Sequence, residues 1–257
     1  VSLRLAGGGP QQTSLADALF NFSNIDLGQV PLGKLLGLPL RKLSGRARGS
    51  LDLRINRQGV VDQFSFNVLI RDLEVQPDEG PKLPLIPEAG FRISAIYDPV
   101  TEDLTAGLVN IQSASVRLPG IDLAGRASVS TDILRGRWEA VNTLELKGNL
   151  YPRRLAALLT GQGHLPGNLE VTGPLSAELS VTREGTVFST HVRLDATETE
   201  FRRSDEVLKP RGVSLKLQLA AKLDRRNWRL EVDRGATELH LGANTFAGGG
   251  AVSDVRP

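Results

Sequence analysis

A chain of 257 residues with 40% hydrophobic and 23% charged residues has the make-up of a folded protein, long enough for one large domain or two of ordinary size. Its 31 basic and 29 acidic residues leave a net charge of only +2, which argues against a nucleic-acid binder. The absence of cysteine excludes both disulfides and thiolate metal sites.

Met is also absent and the chain starts at Val1, so a piece of a longer protein is expected, with any signal or anchor outside it. The longest apolar candidate, residues 30–40, falls well short of the ~18–20 residues of a membrane span and contains Lys34.

Near the start, Leu5-Ala6-Gly7-Gly8-Gly9-Pro10 has a glycine run but no lysine and no helix after it. A phosphate cradle needs strand, loop and helix in that order, so turn or bulge glycines are expected instead. A short helix is predicted over 31–37, with Leu32, Leu35 and Leu36 as its apolar stripe. Period-two alternation then takes over. Leu51, Leu53 and Ile55 alternate with Asp52 and Arg54, and Phe64, Phe66, Val68 and Ile70 with Ser65, Asn67 and Leu69. Turns are predicted at Arg57-Gln58-Gly59 and at Asp98-Pro99.

A second helix is predicted over 151–161, with Pro152 in its first turn, Gly161 past its end and Leu155, Leu158 and Leu159 on one side. Beyond it Leu215, Leu217, Leu219 and Ala221 alternate with Lys216, Gln218 and Ala220. Leu230 and Val232 flank Glu231, and Leu239 and Leu241 flank His240. Further turns fall at Arg183-Glu184-Gly185 and at Asp224-Arg225-Arg226-Asn227. Strands joined this closely predict an all-β antiparallel meander.

The landmarks recur. The turn glycines Gly59 and Gly185 are 126 positions apart, and Ala124 of "LAGRAS" precedes Ala247 of "FAGGGA" by 123. Ala6 precedes Ala124 by 118. A tandem repeat follows, with residues 1–9 as the tail of a preceding unit, 10–130 as one unit and 131–257 as the next.

Conventional chemistry is hard to place. The histidines, His164, His191 and His240, lack metal-binding spacing. Ser189, His191 and Asp195 suggest a triad, but on one strand His191 and Asp195 would stand about 13 Å apart. The pairs Glu198 with Glu200 and Asp205 with Glu206 lie in polar surroundings that give no reason for acid–base work. Basic clusters at Arg41, Lys42, Arg46 and Arg48, at Arg153-Arg154, at Arg202-Arg203 and at Arg225-Arg226 lack interleaved aromatics. They read as solvated faces, with contact to anionic headgroups as an alternative. No enzyme, cofactor or metal is expected.

Residues 180–250 resemble the repeating unit of AsmA-like and TamB-like bacterial envelope proteins. The resemblance rests on a strand pair about a glycine turn, on Lys209-Pro210-Arg211-Gly212-Val213 opening a strand, and on the "LHLG…FAGGG" ending. Residues 24–53 look similar, with a leucine helix, Ser44-Gly45 and a new strand. The resemblance implies a long curved antiparallel sheet, a repeating β-groove with two short helices. A two-sheet sandwich or barrel is the alternative.

The function it implies is a periplasmic segment, anchored to the inner membrane by a part absent here, that shields phospholipid acyl chains between the membranes. An outer-membrane protein is a further expected partner. Apolar burial alone, at roughly 0.8 kcal/mol per methylene, suffices for such binding without a conventional site. The groove candidates, taken from alternation, are Leu53, Ile55, Phe66, Val68, Leu179, Val181, Val192, Leu194, Leu215, Leu217, Leu230 and Leu241. A non-enzymatic structural or assembly protein of the envelope is the competing reading.

Overall fold

The computed structural model describes residues 2–7, 14–30, 40–78, 84–100, 103–131, 140–160 and 169–253. The fold is all-β and antiparallel, as the alternation predicts. It divides into two compact units, residues 1–122 with 154–163, and residues 123–153 with 164–257. The predicted helix at 31–37 lies outside the described residues.

In the first unit six strands pair antiparallel in chain order. They are β1 (Ser2–Gly7), β2 (Ser14–Asp26), β3 (Leu40–Asn56), β4 (Val61–Pro77), β5 (Ile86–Val100) and β6 (Asp103–Leu118). Among the described residues β1 pairs only with β2, so these strands do not close into a barrel. The β3–β4 turn forms where predicted. The Asn56 carboxamide oxygen accepts from the N–H of Gln58 (2.9 Å) and of Val60 (3.1 Å), and Gly59 adopts φ 78°.

The predicted turn at Asp98-Pro99 does not form. Strand β5 runs on to Val100, with Asp98 opposite Leu108 and Pro99 opposite Gly107, and the register shifts just after Pro99. A proline is tolerated beside such an irregularity, where the ladder is already interrupted. Asp72 (φ 51°) disturbs the alternation of β4. Arg71 and Asp72 are both exposed, and Leu73 rejoins Ile70 in one buried cluster with Ile86 and Ala89. A second cluster gathers Leu27, Ala47 and Val68, with Phe22 stacked on Phe66 at 6.4 Å.

In the second unit the ladder runs through β7 (Ile121–Ser130), β8 (Val141–Leu150), β10 (Leu175–Glu184), β11 (Val187–Asp195) and β14 (Leu215–Asp224). The predicted second helix forms as α1 (Pro152–Thr160), whose residues from Arg154 on belong to the first unit. A small separate sheet joins β9 (Leu169–Thr172), β12 (Glu200–Arg203) and β13 (Glu206–Lys209). Beyond β14 the ladder forks. Strand β15 (Arg229–Val232) pairs with residues 221–224 and with β18 (Gly250–Val252), while β16 (Glu238–Leu241) pairs with residues 215–218 and with β17 (Asn244–Ala247).

The fork explains the last glycine run. The chain passes from β17 to β18 across the turn at Asp233–Gly235, so closely that a Cβ on Gly249 would sit 2.6 Å from the Arg234 Cα. Gly125 of the matching "LAGRAS" segment is also at a close crossing, where a Cβ would run into the Glu145 carbonyl. Gly8 and Gly9 of the first run lie outside the described residues.

Candidate functional site

Directly opposed residues of an antiparallel ladder point to the same side, so the registers sort each unit into two faces. In the first unit one row joins Ala18, Leu53, Phe64, Ala95 and Ile111. The next joins Phe20, Leu51, Phe66, Ile93 and Ala114. Val68 stands between Gly49 and Phe91, and Ile55 between Ala16 and Val61. The other face is mostly polar, although Leu19, Leu69 and Ile96 fall on it by register. There Ser65 donates to Ser94 (3.1 Å), Arg54 meets Asp62 (3.3 Å) and Lys42 meets Glu74 (3.0 Å).

The second unit repeats the division. One row joins Leu146, Leu179, Val192 and Leu219, and another Ala177, Leu194, Leu217, Leu239 and Phe246. Phe188, Leu223, Leu230 and Val252 form a third, Leu215 faces Leu241, and Val181 lies in a row with Leu144 and Thr190. Its opposite face carries cross-strand ion pairs, Arg126 with Glu145 (2.8 Å), Arg193 with Glu178 (3.5 Å) and Lys216 with Asp195 (3.2 Å). The Arg126 guanidinium, bonded through two nitrogens, holds the Glu145 carboxyl below its ordinary range.

The registers therefore place the four candidates of the first unit on one face, and the eight of the second unit on one face of that unit. Val68 is buried at 7% exposure, Leu241 is exposed at 44%, and the other ten are half-buried. The sheet's own neighbours cover these side chains only in part. Exposure rises at the fork, to 58% for both Phe246 and Val252. Alternation alone missed Phe20, Phe22, Phe91, Leu146 and Leu223, although several of them lie two positions from a repeated apolar residue.

Several of the other sequence candidates acquire structural partners. Ser189, His191 and Asp195 share the polar face, but Asp195 is engaged by Lys216 and by the Thr197 N–H (2.9 Å), and His191 lies opposite Ser180 and Ala220. Burial alone would raise the Asp195 pKa, yet the bonds from Thr197 and Lys216 outweigh it and hold the carboxyl low. His240 bonds to Glu238 and Thr245, each at 2.9 Å, and Glu200 pairs with Arg202 (2.9 Å). His164 lies outside the described residues. Among the described residues no group of three His, Asp or Glu could hold a metal, and no helix is long and apolar enough to cross a membrane.

Lys209, the first residue of the Lys209-Pro210-Arg211-Gly212-Val213 segment, is a clamp. Only 5% exposed, its ammonium donates to the carbonyls of Thr199 (2.6 Å), Thr197 (3.1 Å) and Pro210 (3.2 Å) and lies 5.9 Å from the Phe201 ring centre. Burial pulls its pKa down, partly countered by Glu198 and Asp195. Compared with known protein families, with curated proteins and with solved structures, the chain matches none.

Proposed function

We propose that the chain is a non-enzymatic, lipid-binding segment of the bacterial envelope that shields acyl chains on its apolar faces. In this reading phospholipid tails lie in an apolar groove and headgroups stay in solvent as lipid passes through the periplasm between inner and outer membranes. An attachment to the inner membrane and an outer-membrane protein partner belong to this reading. The observation that carries the reading is the single-sided sorting. In each unit, rows of large apolar side chains share one face, and most of them, Val68 and Phe188 apart, remain only half-buried or exposed. Contiguous apolar surface of this kind marks interaction sites, and acyl chains would cover it without directional bonds.

Lipid extraction and native mass spectrometry of the purified protein test the reading, together with uptake of a fluorescent acyl probe. Leu217→Asp is expected to lower uptake several-fold, whereas Gln218→Asp, one residue along on the polar face, is expected to leave it near wild type. A protein that carries no lipid and takes up no probe rules out the reading.

An assembly role is favoured by a different observation. Strands β17 and β18 are exposed throughout, and residues 241–253 contain neither a charge nor a proline, the usual protections of a sheet edge. Self-association or capture of another strand at this edge, in protein that takes up no acyl probe, would favour that role instead.

A further inference from the structure

Strands β17 and β18 are two halves of one outer strand. Both run antiparallel to their inner neighbours β16 and β15, which in turn run antiparallel to β14. They therefore follow the direction of β14 end to end, from Asn244 to Val252, broken only where Gly248 and Gly249 pass the Asp233–Gly235 turn. Among the described residues no strand pairs with the outer side of this edge, and Leu241 to Ser253 are all exposed.

Opposed residues of an antiparallel ladder alternate between exchanging both backbone bonds and exchanging none. The Gly248 N–H donates inward, to the Thr237 carbonyl (3.2 Å), so Asn244 and Phe246 also bond inward. The Asp233 N–H donates to the Ala220 carbonyl (2.9 Å), which turns the Glu231 groups toward β14 and those of Gly250 and Val252 inward. The N–H and C=O groups of Thr245, Ala247 and Ala251 are left pointing out of the sheet.

Proteins protect such an edge with charges or prolines, and this one has neither. It is also self-complementary. Laid antiparallel on its own copy about Gly248, it sets Thr245 opposite Ala251, Phe246 opposite Gly250 and Asn244 opposite Val252. The outward groups of Thr245 and Ala251 then meet, and no like charges oppose. Phe246, 58% exposed, lies across from a glycine with open space where a side chain would be. A two-fold axis normal to the sheet keeps both apolar faces on one side, so the row ending at Phe246 continues into the copy.

We propose that the occupant of this edge is a second copy of the chain, joined strand to strand about Gly248. The proposal goes beyond the lipid reading, since it concerns the edge and not what covers the face, and it gives the assembly reading a named partner.

Sedimentation velocity of the whole chain over a concentration series tests it. The wild type is expected to dimerise reversibly. Ala251→Pro removes an outward N–H twice per dimer and no ladder bond within the chain, and is expected to weaken the dimer at least about tenfold. The chain has no cysteine, so Gly248→Cys, on the axis and in open space, is expected to give a disulfide-linked dimer under mild oxidation. Val252→Cys, opposite Asn244 of the copy, is expected to stay unlinked. A wild type that is monomeric at every concentration overturns the proposal and leaves the lipid reading standing. So does a dimer that Ala251→Pro leaves intact, which would place the contact elsewhere. Cross-linking of neither cysteine variant, or of both equally, overturns the pairing about Gly248.

Discussion

Asp195 ends β11 where the polar face meets a turn, and its carboxylate joins two elements by accepting from Thr197 and pairing with Lys216. Because these bonds hold its pKa below the ordinary value, its stabilising contribution is present above the unfolded pKa, about 3.9, and is lost as the pH falls through the lower folded value. Asp195→Asn is therefore expected to lower the urea midpoint at neutral pH and to differ little from wild type below the folded pKa. A gap that stays constant on acidification would show that the charge is not what matters. The sequence singled out Asp195 and Lys209 but not what they do, because the Lys216 ammonium and the Thr197 and Thr199 carbonyls that decide it come from chain positions that only the folded structure brings together.

At the scale of the element, the alternation around Leu53, Phe66, Leu179 and Leu217 was readable because a one-sided strand writes its burial directly as a period of two. The glycine turns at 59 and 185 were readable for an equally local reason, a backbone angle that disfavours a side chain. Pro99 misled, since a proline beside a register shift looks the same in sequence as a proline in a turn. The small β9–β12–β13 sheet left no periodic trace, its strands being four residues each and rich in charge. The final glycine run shows how finely position matters. A Cβ on Gly249 meets the Arg234 backbone, whereas one on Gly248 meets nothing within 4 Å. Gly249→Ala is expected to cost about 1–3 kcal/mol in thermal or urea unfolding and Gly248→Ala much less. Similar losses would mean that the crossing is looser than the contact implies.

At the scale of the whole molecule, each unit supports an extended sheet with few fully buried side chains, several of them alanines such as Ala18, Ala47, Ala89 and Ala95. Stability then comes largely from ladder hydrogen bonds and from contacts among neighbours on one face, each cross-strand pair supplying about 0.2–1 kcal/mol. Apolar surface is left partly accessible in the native state. The folded protein is accordingly expected to enhance the fluorescence of an apolar dye such as anilinonaphthalene sulfonate before any unfolding, and hexadecanoate is expected to displace the dye. A native protein that stays dark with the dye would mean that the faces are covered.

The parity of the strands also constrains how such a chain can change length. One residue gained or lost inside β10 or β14 would exchange the ion-paired side for the apolar side from that point to the next turn, setting Glu178 or Lys216 among the leucines. Two residues gained or lost would keep the sides and shift only the register. The exception is a site such as Asp72, where two successive residues already face outward and the alternation is reset. Tolerated insertions within these strands are therefore expected in even numbers, and odd ones at the bulges and turns.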